Sequence, residues 1–450
     1  MDRRQFIGTG AAAGAFFIAG ANRLFGADAP SNRLRFALVG CHAKGRGYSV
    51  MQQVLRCKGM DIAVVCDVDS RAMDAAADWM TKNGYPAPRK EKDFRKVLEM
   101  PDVDGIISET PDHFHAWSAV MAMRAGKHVW VEKPCAYCPG ELEIILDTWK
   151  RTGKVFQMGS QRRSLTATNR AIAAVKEEGV IGNPRWAKCW YMTERTGIGV
   201  GRKVEVPKWL DWDLWQACAP REGFRDNIVH YNWHWMTSWG TGESGNNSVH
   251  FCDIARWCLG ADDFPSEITA GGGRVFVPEN DDFQFPDTLH STFRWADGRY
   301  LTWEGSSVAY AKPFMGVSSG AMVYGDKGIM YFDAFNNVTL FDFKGNELRK
   351  FEEPARSQPG AGQSRTGGGD SDPTPAHFNN FMEAIRRNDP LMARSNAEVG
   401  TKSTYLALTA NVAQRTGGAL KIDVRTGRPV GNAAAMALWN REYEKGWELA

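Results

Sequence analysis

No long apolar run, no dominant charge and no paired cysteine framework marks this chain of 450 residues. Lys and Arg number 55 against 52 Asp and Glu, a net charge of +3 with 24% charged residues. A nucleic-acid or membrane-surface binder needs a concentrated basic patch, so neither class of partner is expected. The nine cysteines are odd in number and scattered, which excludes a disulfide scaffold. Cys135 and Cys138 form a C-x-x-C with no second pair to complete a zinc site. They read as packing residues rather than a redox dithiol, and no metal site is expected. No internal repeat is visible. The mild apolar run Gly8–Gly20 falls short of the ~20 residues that span a bilayer, so no stable membrane span is expected after processing.

What is present is core-forming sequence, 43% hydrophobic, enough for two or three domains. Arg3 and Arg4 precede Phe6, Ile7 and the apolar run, and Gly26-Ala27-Asp28-Ala29 follows. Residues 1–30 resemble a twin-arginine export signal, with an ordinary secretory signal or retained anchor as the other reading. An exported protein of the periplasm or cell envelope is expected. The twin-arginine route carries folded chains, which suits one that loads a cofactor before export.

From Leu34 the pattern alternates strand and helix. Short apolar runs at Leu34–Gly40, Met60–Asp69, Val103–Thr110, His128–Lys133 and Val155–Gly159 predict strands. Arg71–Lys82, Phe114–Ala125 and Glu141–Arg151 predict helices between them. That alternation is the signature of a parallel sheet with crossover helices, a Rossmann domain over residues 31–158. Residues 159–450 change texture. After a helix at Thr166–Glu178 come strands joined by tight turns: Asp297-Gly298 between Thr288–Trp295 and Tyr300–Glu304, then Gly325–Gly328 and Lys344-Gly345-Asn346. A second α/β domain with a large, mostly antiparallel open sheet is predicted. A Gly/Ser/Pro-rich loop at 354–375 interrupts it, and helices return at Ala376–Arg387 and Ala397–Arg415.

Gly40-Cys41-His42-Ala43-Lys44-Gly45-Arg46-Gly47 stands where the first strand turns into the first helix. In the dinucleotide pattern G-x-G-x-x-G, glycines let backbone N–H groups approach a pyrophosphate at a helix N-terminus. Gly40 and Gly45 match the first and third glycines, and His42 replaces the second. The His42 side chain must therefore turn away from the phosphates. Asp67, closing the second strand, can accept hydrogen bonds from the adenosine ribose and repel a 2′-phosphate, which favours NAD. Arg46 keeps NADP as the less favoured alternative.

Two further stretches carry a resemblance: Thr110-Pro111-Asp112-His113-Phe114-His115 and Gly126-Lys127-His128-Val129-Trp130-Val131-Glu132-Lys133-Pro134. Glu-Lys-Pro ending a strand about 90 residues after the glycine turn is similar to the Gfo/Idh/MocA oxidoreductases. Gln161-Arg162-Arg163-Ser164, Leu210–Trp215 and the closing Trp447-Glu448-Leu449 are similar to an exported bacterial branch of that family. The resemblance implies a cofactor site that includes Thr110, Pro111, His113, His115, Glu132, Lys133 and Pro134. It implies that Lys133 approaches the reacting hydroxyl, and that a cis peptide before Pro134 aims it. It places His250 at the family's conserved histidine, and Asn246 where many members carry an aspartate. Asparagine cannot take a proton, so acid–base work shifts to Lys133 and His250. The resemblance further implies a homo-oligomer built through the second sheet.

A lysine beside an oxidised nicotinamide in a partly dry cleft has its ammonium form disfavoured, and histidine titrates near neutrality, so either can act as base. Among the 17 tryptophans, six lie between Trp209 and Trp239; their faces can stack on sugar rings or simply fill a core. Trp212, Arg162 and Arg163 are candidate substrate contacts, with Asp211 and Asp213 as further polar grips. The expected activity is NAD(H)-dependent oxidation of a sugar or glycoside hydroxyl. Two alternatives stand beside it: redox-neutral glycoside cleavage through a transient keto-sugar, and a non-catalytic sugar-binding protein of the same fold.

Overall fold

The computed structural model describes residues 33–43, 45–354 and 372–449. The export-signal expectation for residues 1–30, and most of the loop expected at 354–375, fall outside the described residues.

The first sheet is parallel throughout. Strands β1 (Leu34–Val39), β2 (Met60–Cys66), β3 (Arg89–Glu91), β4 (Gly105–Ser108), β5 (His128–Val131) and β6 (Phe156–Met158) lie in the order β3-β2-β1-β4-β5-β6. The order reverses between β1 and β4, and in such sheets ligands bind beyond the strand C-termini at that point. Helices over Arg46–Val54, Ser70–Lys82, Asp112–Arg124 and Pro139–Thr152 cover the two faces. The expected strands and helices appear with ends shifted by a few residues. Strand β3 escaped the sequence because its Arg-Lys-Glu is all charge, as suits an edge strand. The described part of this half is the Rossmann domain predicted.

The second sheet has nine strands. β7 (Pro184–Met192), β8 (Glu267–Gly273), β9 (Thr288–Arg294), β10 (Tyr300–Ser306), β11 (Ser319–Gly325), β12 (Ile329–Phe332), β13 (Val338–Phe341), β14 (Glu347–Phe351) and β15 (Ala419–Lys421) form it. They lie in the order β14-β13-β12-β11-β7-β10-β9-β8-β15, and only β7 and β10 run parallel. In β9, Leu289, Ser291 and Phe293 point inward and the residues between them outward, the period of two that a one-sided core demands. The Asp297-Gly298 hairpin forms as expected, with Gly298 at φ +88°. Helices Val249–Leu259 and Ala397–Arg415 pack on the inner face.

The chain does not keep its halves apart. Helix Thr374–Arg386 lies on the Rossmann core, where Phe378 stacks on Trp130 at 3.6 Å and Phe381 meets Phe36 at 5.7 Å. The C-terminal tail also returns, and the Trp117 indole N–H donates to the Trp447 carbonyl at 2.8 Å. Among the described residues no helix is long and apolar enough to cross a membrane.

Candidate active site

The glycine turn is built for close approach. Gly40 sits at φ +83°, and a Cβ there would lie 2.6 Å from the Glu109 carbonyl oxygen. Gly45 is the residue before the helix, in extended backbone, and a Cβ there would meet only His42, at 3.2 Å. The glycine on which helix and strand close is Gly47. A Cβ at Gly47 would overlap the Gly40 carbonyl oxygen. The third-glycine role given to Gly45 is therefore carried by Gly47, two residues on. At Gly40 and Gly47 the missing side chains let β1, the turn and the start of the helix pack closely on Glu109 and on one another.

Asp67 binds the turn to β2. Its carboxylate accepts from the Cys41 N–H at 2.7 Å and the Asp69 N–H at 2.9 Å. Burial pushes its pKa up to about 6, against the lowering effect of those two backbone bonds. Each oxygen keeps a second acceptor site for a ribose hydroxyl. Asp69, which sequence reasoning passed over, is fully buried and caps helix Ser70–Lys82 by accepting from the Arg71 N–H at 2.9 Å. Its carboxylate also takes the Arg71 guanidinium at 2.8 Å and the His230 ring at 2.9 Å.

His42 turns toward the second domain. Its ring stacks on His230 with centroids 3.9 Å apart and an interplanar angle of 18°. Potential metal-ligand atoms of His42, Asp69 and His230 lie within 4.8 Å of one another. The Arg71 guanidinium already neutralises Asp69, and the two rings lie face to face, so the cluster is a hydrogen-bonded clasp between domains. Nothing in the residues of that stretch of the second domain foretold His230.

Arg46 departs from its expected role. Its side chain runs away from Asp67 toward Glu132, 3.5 Å away, and donates to Thr374 Oγ1 at 2.9 Å. It does not stand at the ribose end, where a 2′-phosphate reader would be needed.

The Glu132-Lys133-Pro134 turn lies at the C-terminal end of β5. Glu132 accepts from the Gln161 amide at 2.9 Å and from the Lys133 N–H at 3.1 Å. The Lys133–Pro134 peptide is cis. Lys133 Nζ donates to the Asn246 carbonyl oxygen at 2.7 Å and to Asn246 Oδ1 at 3.1 Å. Burial lowers the Lys133 pKa from its ordinary value; Glu132 and Asp112 oppose that, and Arg46 adds to it. His250 lies one turn further, in helix Val249–Leu259. Burial holds its pKa well below the ordinary histidine value, and the charges of Lys133, Arg162 and Arg46 push the same way. Its ring is partly accessible, and among the described residues it has no hydrogen-bond partner. Lys133 and His250 thus converge from different domains.

Thr110 and Pro111 lead into helix Asp112–Arg124 beside this turn. His115 joins the two motifs, with Nδ1 2.7 Å from the Pro134 carbonyl oxygen and Nε2 2.8 Å from that of Thr110. It holds the cofactor turns together rather than reaching into the cleft.

Three expected contacts lie elsewhere. His113 is fully buried, 3.1 Å from the Trp215 carbonyl oxygen and tilted against the Trp215 ring. Arg163 is locked in a buried ion pair with Asp253 at 2.7 Å. Trp212 is buried, stacked on Trp215 at 4.8 Å and packed edge-on to Trp239, with its indole N–H on the Glu222 carbonyl. The tryptophan-rich stretch is chiefly a second small core, including Leu210, Phe224, Ile228 and Trp233. Aromatic frequency could not separate stacking on sugar from stacking on itself. Asp213 is exposed, and Asp211 spends its charge on Lys92 at 2.7 Å.

Arg162 does stand at the cleft, over the Phe251 ring at 4.5 Å. Across from it the structure adds residues the sequence did not single out. Glu243 takes Arg195 at 3.1 Å and Ser307 Oγ at 3.0 Å, and Arg195 also bonds the Tyr231 hydroxyl. Glu109 lies under the glycine turn with one carboxylate oxygen, Oε2, buried without a partner. Burial, then the charge of Glu132, holds its pKa well above the ordinary value.

Residues 34–160 match the model of the oxidoreductase family GFO_IDH_MocA, NAD-binding Rossmann fold. This is the domain through which the chain matches the Gfo/Idh/MocA oxidoreductases. The chain is also similar to a glycosyl hydrolase family 109 protein of Saccharopolyspora erythraea, 34% identical over 172 residues, 34% of this chain and 37% of that protein. It is 26% identical to the alpha-N-acetylgalactosaminidase of Shewanella oneidensis over 209 residues, 45% of this chain and 39% of that enzyme. The matched region spans less than half the length of these curated relatives. The fold is shared with levoglucosan dehydrogenase solved with NADH and levoglucosan, at TM-score 0.61 and 19% identity, covering 84% of this chain and 96% of that one.

Proposed function

We propose that this protein uses NAD to oxidise a hydroxyl of a sugar or glycoside, with Lys133 and His250 as its proton-handling groups. The observation that carries this reading is the Lys133 ammonium held on Asn246 at 2.7 Å beside His250, at the strand ends of an NAD-binding Rossmann sheet. Gly40, Gly47 and Asp67 fit a dinucleotide: a glycine turn that lets β1 and the helix pack closely, and a carboxylate just after β2 with acceptor sites to spare. Bound NAD would supply the hydride acceptor. Lys133 Nζ, its ammonium form disfavoured by burial, accepts the hydroxyl proton once neutral, and His250 offers a ring nitrogen to the same or the neighbouring hydroxyl. Asp67 and the outward course of Arg46 support NAD over NADP.

A second reading has specific support. The His42–His230 stack and the Asp69–Leu210 bridge close the second domain over the adenosine end. A cofactor retained there could be reduced and reoxidised within one cycle, which is redox-neutral glycoside cleavage. The curated relatives named as glycosidases support that reading for their own matched region.

The experiment is native mass spectrometry for a bound dinucleotide, followed by a glycoside panel monitored for both NADH and aglycone. NADH accumulation supports net oxidation, and aglycone release without it supports cleavage. Neither product, with no dinucleotide bound, rejects the proposal.

We further propose export through residues 1–30, tested by fractionating cells that express Arg3→Lys/Arg4→Lys. Homo-oligomer formation through the outer sheet face is proposed too. There Trp186 stacks between Tyr300 at 5.5 Å and Tyr324 at 4.0 Å, half-buried. Trp186→Glu should lower the mass seen by light scattering.

A further inference from the structure

Three carboxylates around the cleft are already engaged. Glu132 faces Arg46 and Gln161, and Glu243 faces Arg195 and Ser307. Asp112 accepts from the Thr241 hydroxyl at 2.5 Å and its N–H at 3.1 Å. Among the described residues Arg162 is left without a carboxylate partner. The terminal nitrogens of Arg162 reach only the backbone carbonyl oxygens of Asp333 and Ala334, each at 3.3 Å, which is long for such bonds. The Asp333 carboxylate is occupied by its own loop, accepting from the Phe335 N–H at 2.7 Å and the Asn337 N–H at 2.8 Å. Among the described residues no carboxylate comes within ion-pair distance of Arg162. Burial lowers its pKa to about 10, so it stays charged near neutrality. A largely desolvated guanidinium without a counter-charge is unfavourable, and a planar fork is the shape that receives a carboxylate or sulfate on two oxygens.

Its neighbours suit that ligand. The charges of Arg162 and Lys133 both reach His250, which puts Arg162 beside the proposed reaction centre. Tyr191 is half-buried, and its hydroxyl has no hydrogen-bond partner among the described residues. Tyr191 lies where the charges of Glu243, Arg195 and Arg162 all reach it.

We infer that the sugar bound here is anionic, and that Arg162, with Tyr191, receives its carboxylate or sulfate group and so sets specificity. The inference rests on reading the cleft as a sugar site. A uronate and a sulfated sugar each offer Arg162 a negatively charged group with a pair of acceptor oxygens.

The test is calorimetric titration of the full-length, NAD-loaded protein. The probes are D-glucuronate and D-galacturonate, galactose 6-sulfate, and neutral glucose and galactose. At least one acid should bind about tenfold or more tightly than its neutral parent, the effect of one charge-assisted contact. Which acid it is separates carboxylate from sulfate. In Arg162→Met the ratio of acid to neutral affinity should collapse toward one, and in Arg162→Lys, which keeps charge but loses the fork, it should fall part-way. Melting curves of both variants establish folding, and Tyr191→Phe gives a milder independent check. Equal affinities in the unaltered protein, a preference that survives Arg162→Met, or no binding of any acid overturns the inference. If neutral sugars or glycosides are still turned over, only the anion inference falls; if no sugar binds or reacts, the sugar reading falls with it.

Discussion

Lys133 Nζ lies 2.7 Å from the Asn246 carbonyl oxygen and 3.1 Å from Asn246 Oδ1. The neutral amide orients the amine without supplying the negative charge that would stabilise its protonated form. Asn246→Asp adds that charge at bonding distance and should raise the Lys133 pKa. Oxidation needs the amine neutral, so activity is gained as pH rises through that pKa. The acidic limb of kcat/KM should move to higher pH by about one unit or more in the variant. A limb that stays in place would mean that Lys133 is not the base.

Lys133→Met keeps much of the side-chain volume and removes the proton carrier. It should lower turnover by ~10²–10⁴-fold while NAD binding and melting temperature stay close to those of the unaltered protein. His250→Ala should fall in the same range. His250 is held neutral by burial, so its loss should lower the rate without moving the acidic limb. The double variant should be no worse than the poorer single one, because groups serving one proton path are not additive. Full additivity in single-turnover kinetics would reject a shared path.

The parts of this protein that were legible in its sequence are those written in local chemistry. Short β-branched runs separated by helical periods announced the Rossmann sheet, and Asp297-Gly298 announced a hairpin. Lys133 and His250 were singled out by the family resemblance, and the structure brings Lys133 to Asn246, one turn before His250. What was hidden depends on contacts between residues distant in sequence. His113, Arg163 and Trp212 carry the right chemistry for a site, but each found a buried partner: the Trp215 carbonyl, Asp253 and Trp215. Gly45 and Gly47 differ by two positions, and only the packing of helix on strand tells which one must lack a side chain.

That difference can be measured. Gly47→Ala would drive a methyl into the Gly40 carbonyl, which belongs to the backbone and cannot rotate aside. It should abolish dinucleotide binding and lower the melting temperature severely. Gly45→Ala meets only His42, at 3.2 Å, and should be mild in both assays. Equal effects in thermal denaturation and cofactor titration would return the close-packing role to Gly45.

With Asp67 at the adenosine ribose, cofactor choice should depend on pH. Burial raises its pKa to about 6, so the carboxylate is charged above that value and protonated below it. The charged form accepts two ribose bonds and repels a 2′-phosphate; the protonated form does neither well. The preference for NAD over NADP should therefore be greatest above pH 7 and shrink as pH falls through about 6. Asp67→Asn should show the weak, pH-independent preference throughout. A selectivity ratio from fluorescence titration that is flat from pH 5 to 8 in the unaltered protein would remove Asp67 from cofactor choice.

The clasp between the glycine turn and the second domain is expected to govern cofactor exchange rather than chemistry. His42 of the glycine turn stacks on His230, and His230 is bonded to Asp69 at 2.9 Å. Around them the Ser70 N–H donates to the Trp209 carbonyl at 3.0 Å, the Asp211 N–H to that of Val68 at 3.0 Å, and Arg71 lies 3.4 Å over the Trp209 ring. A dinucleotide leaving its site must part these contacts, since they join the second domain to the strand end that carries Asp67. His230→Ala removes the stack and the Asp69 bond together, and should speed NAD release by about tenfold or more while changing the hydride step little. Burial, with the charge of His42 adding to it, holds the His230 pKa down to about 4. The ring is neutral across pH 6 to 8, so the release rate should be flat over that range. Stopped-flow displacement of bound NADH reads both quantities. If release is unchanged in His230→Ala, the clasp does not retain the cofactor, and a redox-neutral cycle loses its structural support.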